Sequence, residues 1–89
     1  MKELRGKVGV VTGGAGGIGR AIGEAMLAEG MKVVLADVVA DQLDATVKEL
    51  GGKDVMGLPT DVTSFESLCA LRDAALARFG AVHVVCNNA

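Results

Sequence analysis

Tyrosine and tryptophan are missing from this sequence, and phenylalanine occurs only twice in 89 residues. Chemistry that needs a phenol therefore has no side chain to work with. Histidine occurs once, as His83, without a partner at ligand spacing, which argues against a structural metal site. The two cysteines, Cys69 and Cys86, lie far apart. Without a secretory signal they read as reduced thiols, and a cytoplasmic location is expected. Basic residues do not outnumber acidic ones: 9 Lys and Arg stand against 11 Asp and Glu, a net charge of −2. No basic stripe points to nucleic acid or an anionic membrane. The charged start, Met1 to Lys7, has no apolar core of a signal peptide. No apolar stretch approaches the ~20 residues that cross a bilayer.

What is present is an apolar, globular balance: 51 % hydrophobic and 22 % charged. The pattern alternates. Lys7 to Thr12 is a short Val-rich run that predicts a buried strand. Ile18, Ala21, Ile22, Ala25 and Met26 then predict a helix with one buried stripe, ended by Gly30. Met31 to Val38 predicts a second strand. Ala40 to Leu50 predicts a second helix, with Asp41 as N-cap and Gly51-Gly52 as its stop. Asp54 to Val62 is a weaker third strand, interrupted by Gly57 and Pro59. Thr63 to Glu66 has capping-box spacing. Leu68, Leu71, Ala75 and Phe79 continue a third helix up to Gly80, and Ala81 to Cys86 predicts a fourth strand.

The order β-α-β-α-β-α-β predicts an α/β fold with a parallel sheet and right-handed crossovers. The expected strand order is 3-2-1-4, a partial Rossmann-like doubly wound sheet. The first two helices would cover one face and the third the other. Residues 1–89 read as one dinucleotide-binding part of such a domain.

The stretch between the first strand and the first helix holds Gly13, Gly14, Gly16, Gly17 and Gly19. Glycine there lets the backbone approach a pyrophosphate, and the helix start favours negative charge. Two registers fit. Gly14, Gly16 and Gly19 match G-x-G-x-x-G, while Thr12, Gly13, Gly17, Ile18 and Gly19 match T-G-x-x-x-G-I-G. A triphosphate-hydrolysing loop is excluded, because Arg20 and Ala21 stand where Lys and Ser or Thr are required. Asp37, at the end of the second strand, can accept bonds from both hydroxyls of an adenosine ribose.

With its loop, the sequence resembles the short-chain dehydrogenase/reductase family. Asp61-Val62-Thr63 is similar to that family's adenine-contacting segment, and Asn87-Asn88-Ala89 to its N-N-A-G motif without the glycine. The resemblance spans the chain. It implies that Thr12, Gly13, Gly17, Ile18 and Gly19 shape the pyrophosphate loop and that Asp37 binds the ribose. It implies that Asp61 and Val62 flank the adenine, and that Asn87, Asn88 and Ala89 lie along the cofactor. His83 departs from the family, which usually has Asp there; a strand residue satisfied by a neighbour is the simplest reading.

Asp37, with no cation at Val38 or Val39, favours NAD over NADP. The family's catalytic residues are a Ser and a Tyr-x-x-x-Lys pair, and this chain has no tyrosine. The resemblance therefore implies the cofactor-binding half of an enzyme acting on a small alcohol or ketone. The 89 residues alone are expected to be inactive. A non-catalytic dinucleotide-sensing module and an interaction half-domain stay open. The apolar third helix, with Cys69, Ala70, Ala74, Leu76 and Ala77 beyond its stripe, suggests a homo-oligomer.

Overall fold

The computed structural model describes residues 4–88. Its elements are β1 (Val8–Thr12), α1 (Gly17–Ala28), β2 (Lys32–Asp37), α2 (Ala40–Glu49), β3 (Val55–Pro59), α3 (Phe65–Phe79) and β4 (Val84–Asn87). All neighbouring strands are parallel and the order is β3-β2-β1-β4, as expected. Central β1 is buried at every residue, because helices cover both of its faces and strands flank both of its edges.

The valine-rich strands split their side chains between two cores. On one face Val11, Val33, Leu35, Leu43 and Val55 pack with Ile22 and Met26 of α1 and Val47 of α2. On the other, Val10, Val34 and Ala36 pack against Leu71 and Ala75 of α3. Full burial of a Val or Leu side chain stabilises by about 1.5–3 kcal/mol. Val11, Val33, Val34 and Leu35 are all completely buried.

Several boundaries shift from the sequence reading, each for a local reason. In α1 the predicted stripe is wrong at Ile18, Ala21 and Ala25, which are exposed. The helix packs through Gly19, Ile22, Gly23 and Met26 instead: Gly23 lies against Leu35 and Val33 of β2, and Gly19 against the carbonyl of Gly13. Helix α2 begins at Ala40, as the sequence run does, but its N-cap is Val39. Asp41 is not the cap; it lies in the first turn, where its charge complements the helix dipole. Strand β3 is confined to Val55–Pro59, since Pro59 has no N–H to continue a ladder and Asp61 closes a turn on Thr63.

The N-cap of α3 is Ser64, whose Oγ accepts from the Ser67 N–H at 3.2 Å. Thr63 does not cap, because its hydroxyl donates to Asp61 Oδ1 at 2.6 Å. Strand β4 starts at Val84 and runs on to Asn87. His83 precedes it and finds the neighbour expected: its Nδ1 accepts from the Val8 N–H at 3.0 Å, and its own N–H donates to Val8 O at 2.9 Å.

Candidate functional site

The parallel arrangement gathers the carboxyl ends of all four strands on one side. There β1 ends in Thr12, β2 in Asp37, β3 near Asp61 and β4 in Asn87. Open α/β sheets bind ligands at this end. The glycine-rich turn leaves β1 and enters α1 across it.

The inner side of the turn is held by hydrogen bonds at Gly14 and Ala15. The Gly14 N–H donates to Ala36 O of β2 at 3.0 Å. The Ala15 N–H donates to Asp37 Oδ2 at 3.2 Å, while the buried Thr46 of α2 donates its hydroxyl to Ala15 O, also at 3.2 Å. Gly17 has φ 52°, a left-handed conformation that side-chain-bearing residues rarely adopt. Gly19 permits a close approach: a Cβ there would overlap the carbonyl oxygen of Gly13 and lie 3.0 Å from Asn88 Nδ2. By contrast, a Cβ on Gly16 or Gly17 would meet nothing within 4 Å, so this side of the turn faces open space. Gly14 belongs to the packed side, where an added Cβ would lie 2.9 Å from Leu35 Cβ.

Helix α1 starts at this open rim. Its N-cap, Gly16, offers no side-chain bond, and no acidic residue lies in the first turn. The helix therefore presents uncompensated positive partial charge, the property that attracts a phosphate. Ile18 projects beside it, 71 % exposed.

Thr12 ties the ends of β1 and β4 together. Its hydroxyl donates to Asn87 Oδ1 at 3.0 Å and accepts from the Asn88 N–H at 3.0 Å. Asn88 Nδ2 reaches Gly13 O at 3.4 Å. Thr12, Asn87 and Asn88 thus form a bonded brace under the turn. Ala89 lies outside the described residues.

Asp37 is committed on both oxygens to backbone donors, with Oδ1 accepting from the Val38 N–H at 2.7 Å. A carboxylate has about four lone-pair positions, so each oxygen keeps capacity for a hydroxyl. Val38 and Val62 stand exposed beyond the ends of β2 and β3. Asp61 sits in a tight turn in which Thr63 donates to its Oδ1 from both hydroxyl and N–H. Those two bonds, the hydroxyl's first, hold the Asp61 carboxyl below its ordinary range. Arg20, the cation next to the loop, is bound to Glu24 at 2.9 Å and to Glu49 at 2.6 Å. The bond to Glu24, then that to Glu49, raises its pKa further.

The sequence reading missed Ala15 and Thr46 as parts of this site. A signal existed: Thr46 is a polar residue three positions after Leu43, on the buried stripe that Leu43 and Val47 define.

Comparison with known proteins agrees with this fold. The family profile described as short chain dehydrogenase matches residues 7–89. Fluoren-9-ol dehydrogenase of Terrabacter sp. (strain DBF63) is 47 % identical over 88 residues, which are 98 % of this chain and 25 % of that protein. The 1-deoxy-11-beta-hydroxypentalenate dehydrogenase of Streptomyces avermitilis is 40 % identical over 89 residues, covering 98 % of this chain and 33 % of that protein. Among solved structures, a short chain dehydrogenase/reductase from Burkholderia phymatum in complex with NAD superposes with a TM-score of 0.90 at 47 % identity. That match covers 96 % of this chain and 31 % of the other. The 3-ketoacyl-(acyl-carrier-protein) reductase from Brucella melitensis, complexed with NADH, gives 0.88 at 28 % identity, covering 92 % and 34 %. The chain thus spans between a quarter and about a third of these relatives.

Proposed function

The chain belongs to the short chain dehydrogenase family, and from that premise we propose that it is the cofactor-binding part of an NAD(H)-dependent oxidoreductase. When bound, the nicotinamide cofactor supplies or accepts the hydride. The residues of this chain bind and orient it. Gly16 and Gly17, with the start of α1, take the pyrophosphate on the open rim of the turn. Asp37 accepts the two ribose hydroxyls, Val38 and Val62 flank the adenine, and Asp61 accepts from its amino group. Gly13, Gly19 and Thr12 hold the turn against β4, and Ile18 covers the phosphates from the helix side. Asn88 and Ala89 continue along the cofactor from β4.

The observation that carries the choice of NAD(H) is the pairing of the two charges nearest the ribose. Asp37 is already fixed toward the loop by Ala15 and Val38. Arg20, which alone could answer a 2′-phosphate from α1's first turn, is tied to two carboxylates. A 2′-phosphate would meet a fixed negative charge without an available positive one.

The substrate of the whole protein is a small alcohol or ketone. This chain has no tyrosine to move the proton at the substrate oxygen, so the 89 residues bind cofactor without turnover. The whole protein is a cytoplasmic homo-oligomer in this reading, supported by free Cys69 and Cys86 and by the apolar outer side of α3.

Titration with NADH and with NADPH tests the assignment. The chain is expected to favour NADH by at least about tenfold, roughly 1.4 kcal/mol. Asp37→Ala with Val38→Arg should move the preference toward NADPH. Wild-type preference for NADPH would overturn it.

A further inference from the structure

Thr46 is a buried hydroxyl in the interior of α2, 3 % exposed and set among the apolar side chains of one core. Threonine is a poor helix former, and a buried hydroxyl costs stability unless it is bonded. Its bond runs out of the helix to Ala15 O, 31 residues earlier in the chain. The same Ala15 has its N–H on Asp37 and its side chain in the core. Ala15 is therefore gripped from three directions.

The peptide between Ala15 and Gly16 is planar and trans, so its C=O and N–H point in opposite directions. Fixing Ala15 O on Thr46 aims the Gly16 N–H away from α2. Gly16 is the N-cap of α1 and lies on the exposed rim of the turn.

We propose that Thr46 is a positioning residue for pyrophosphate binding: through Ala15 O it sets the direction of the Gly16 N–H, which donates to a phosphate oxygen. This rests on the cofactor reading above and extends it to a residue of α2 on the opposite side of the turn from the ligand. In the same arrangement Asp37 links ribose and pyrophosphate recognition, since the peptide that Thr46 holds follows the one that Asp37 holds.

Thr46→Val keeps the shape and removes the hydroxyl, and Thr46→Ser restores the hydroxyl. In the 89-residue chain Thr46→Val is expected to weaken ADP-ribose and NAD+ binding roughly three- to tenfold, the scale of one lost hydrogen bond. Adenosine, which has no phosphate and is followed by chemical shift, should change less than about twofold, well under the loss expected for one hydrogen bond. Thr46→Ser should recover most of the loss. Amide exchange of Gly16 and Gly17 without ligand should be faster in Thr46→Val than in wild type and return in Thr46→Ser. Equal loss for adenosine and ADP-ribose, or unchanged ADP-ribose affinity, would overturn the proposal. If wild type bound neither NAD+ nor ADP-ribose, the cofactor reading would fall. The amide exchange would then decide on Thr46 alone: unchanged exchange in Thr46→Val overturns its grip on the turn.

Discussion

Gly19→Ala adds a single methyl group, and the structure shows why this should be severe. The new Cβ would overlap the Gly13 carbonyl oxygen, lie 2.7 Å from the Gly13 carbonyl carbon, and press on Asn88 Nδ2 at 3.0 Å. The first two are backbone atoms of the turn, so no rotamer change relieves the overlap. Either α1 must draw back from the sheet or the turn must move off β1. Overpacking costs about 1–3 kcal/mol, and an overlap with backbone that cannot rotate away belongs to the upper part of that range, about 2–3 kcal/mol. Against that, Ala is a better helix former than Gly by about 1 kcal/mol. The net expectation is a loss of about 1–2 kcal/mol, or roughly 4–16 °C in Tm for a domain of this size. NADH affinity should fall as well, because the rim of the turn shifts with it. Two companions separate the causes. Gly23→Ala meets Leu35 Cδ2 at 3.0 Å, the end of a side chain, and should be tolerated. Gly16→Ala meets nothing in the protein, so Tm should hold while NADH binding weakens. Thermal unfolding and NADH titration of the three variants suffice. A Gly19→Ala protein with wild-type Tm and wild-type affinity would refute the close-approach argument.

The remaining expectations are simpler to test. Asp61, held low by Thr63, should titrate below the ordinary aspartate value when its side-chain carbon shift is followed by NMR, and Thr63→Val should move its midpoint up. Because its folded pKa is depressed, its contribution to stability is present above the unfolded value of about 3.9 and is lost as pH falls through the folded one. A midpoint unchanged in Thr63→Val would refute the assigned cause. The open edge of β4, where Val85 is 62 % exposed and apolar grooves run along both faces, should drive self-association of the 89-residue chain. Light scattering should show oligomers that Val85→Lys reduces, and a wild-type monomer at roughly tens of micromolar, about a typical working concentration for such edges, would remove the edge from the account.

The alternation of strands and helices and their order in the sheet were legible because three of the four strands are short Val-rich runs and each helix has a glycine stop. The contact of α1 was not. A pattern of apolar side chains cannot register a contact made by Gly19 and Gly23, which have none, so Ile18, Ala21 and Ala25 were assigned to a face that glycines occupy. The caps were off by a residue or two for a related reason. Thr63 and Asp41 are good cap residues by type, but Thr63 spends its hydroxyl on Asp61 and Ala40 already continues the helix. The loop and Asp37 could be read from spacing. The grip of Thr46 on Ala15 could not, because it joins positions 31 apart whose proximity exists only after β2 and α2 have packed.

The place of β1 in the sheet also bears on how the chain comes to be folded during synthesis. Its neighbour on one side follows after a single helix: the Ala15–Asp37 bond spans 22 positions. Its neighbour on the other side follows only after three helices, and the Thr12–Asn87 bond spans 75 positions. The longer closure costs only about 1 kcal/mol more in chain entropy. The difference in time is larger. At roughly 5–20 residues per second, β1 emerges from the ribosome several seconds before β4 does. During that interval β1, flanked on both edges in the described sheet, is an edge strand paired with β2 alone. A nascent chain halted between α2 and β4 would expose this strand, and that is the stage at which a chaperone has most to bind.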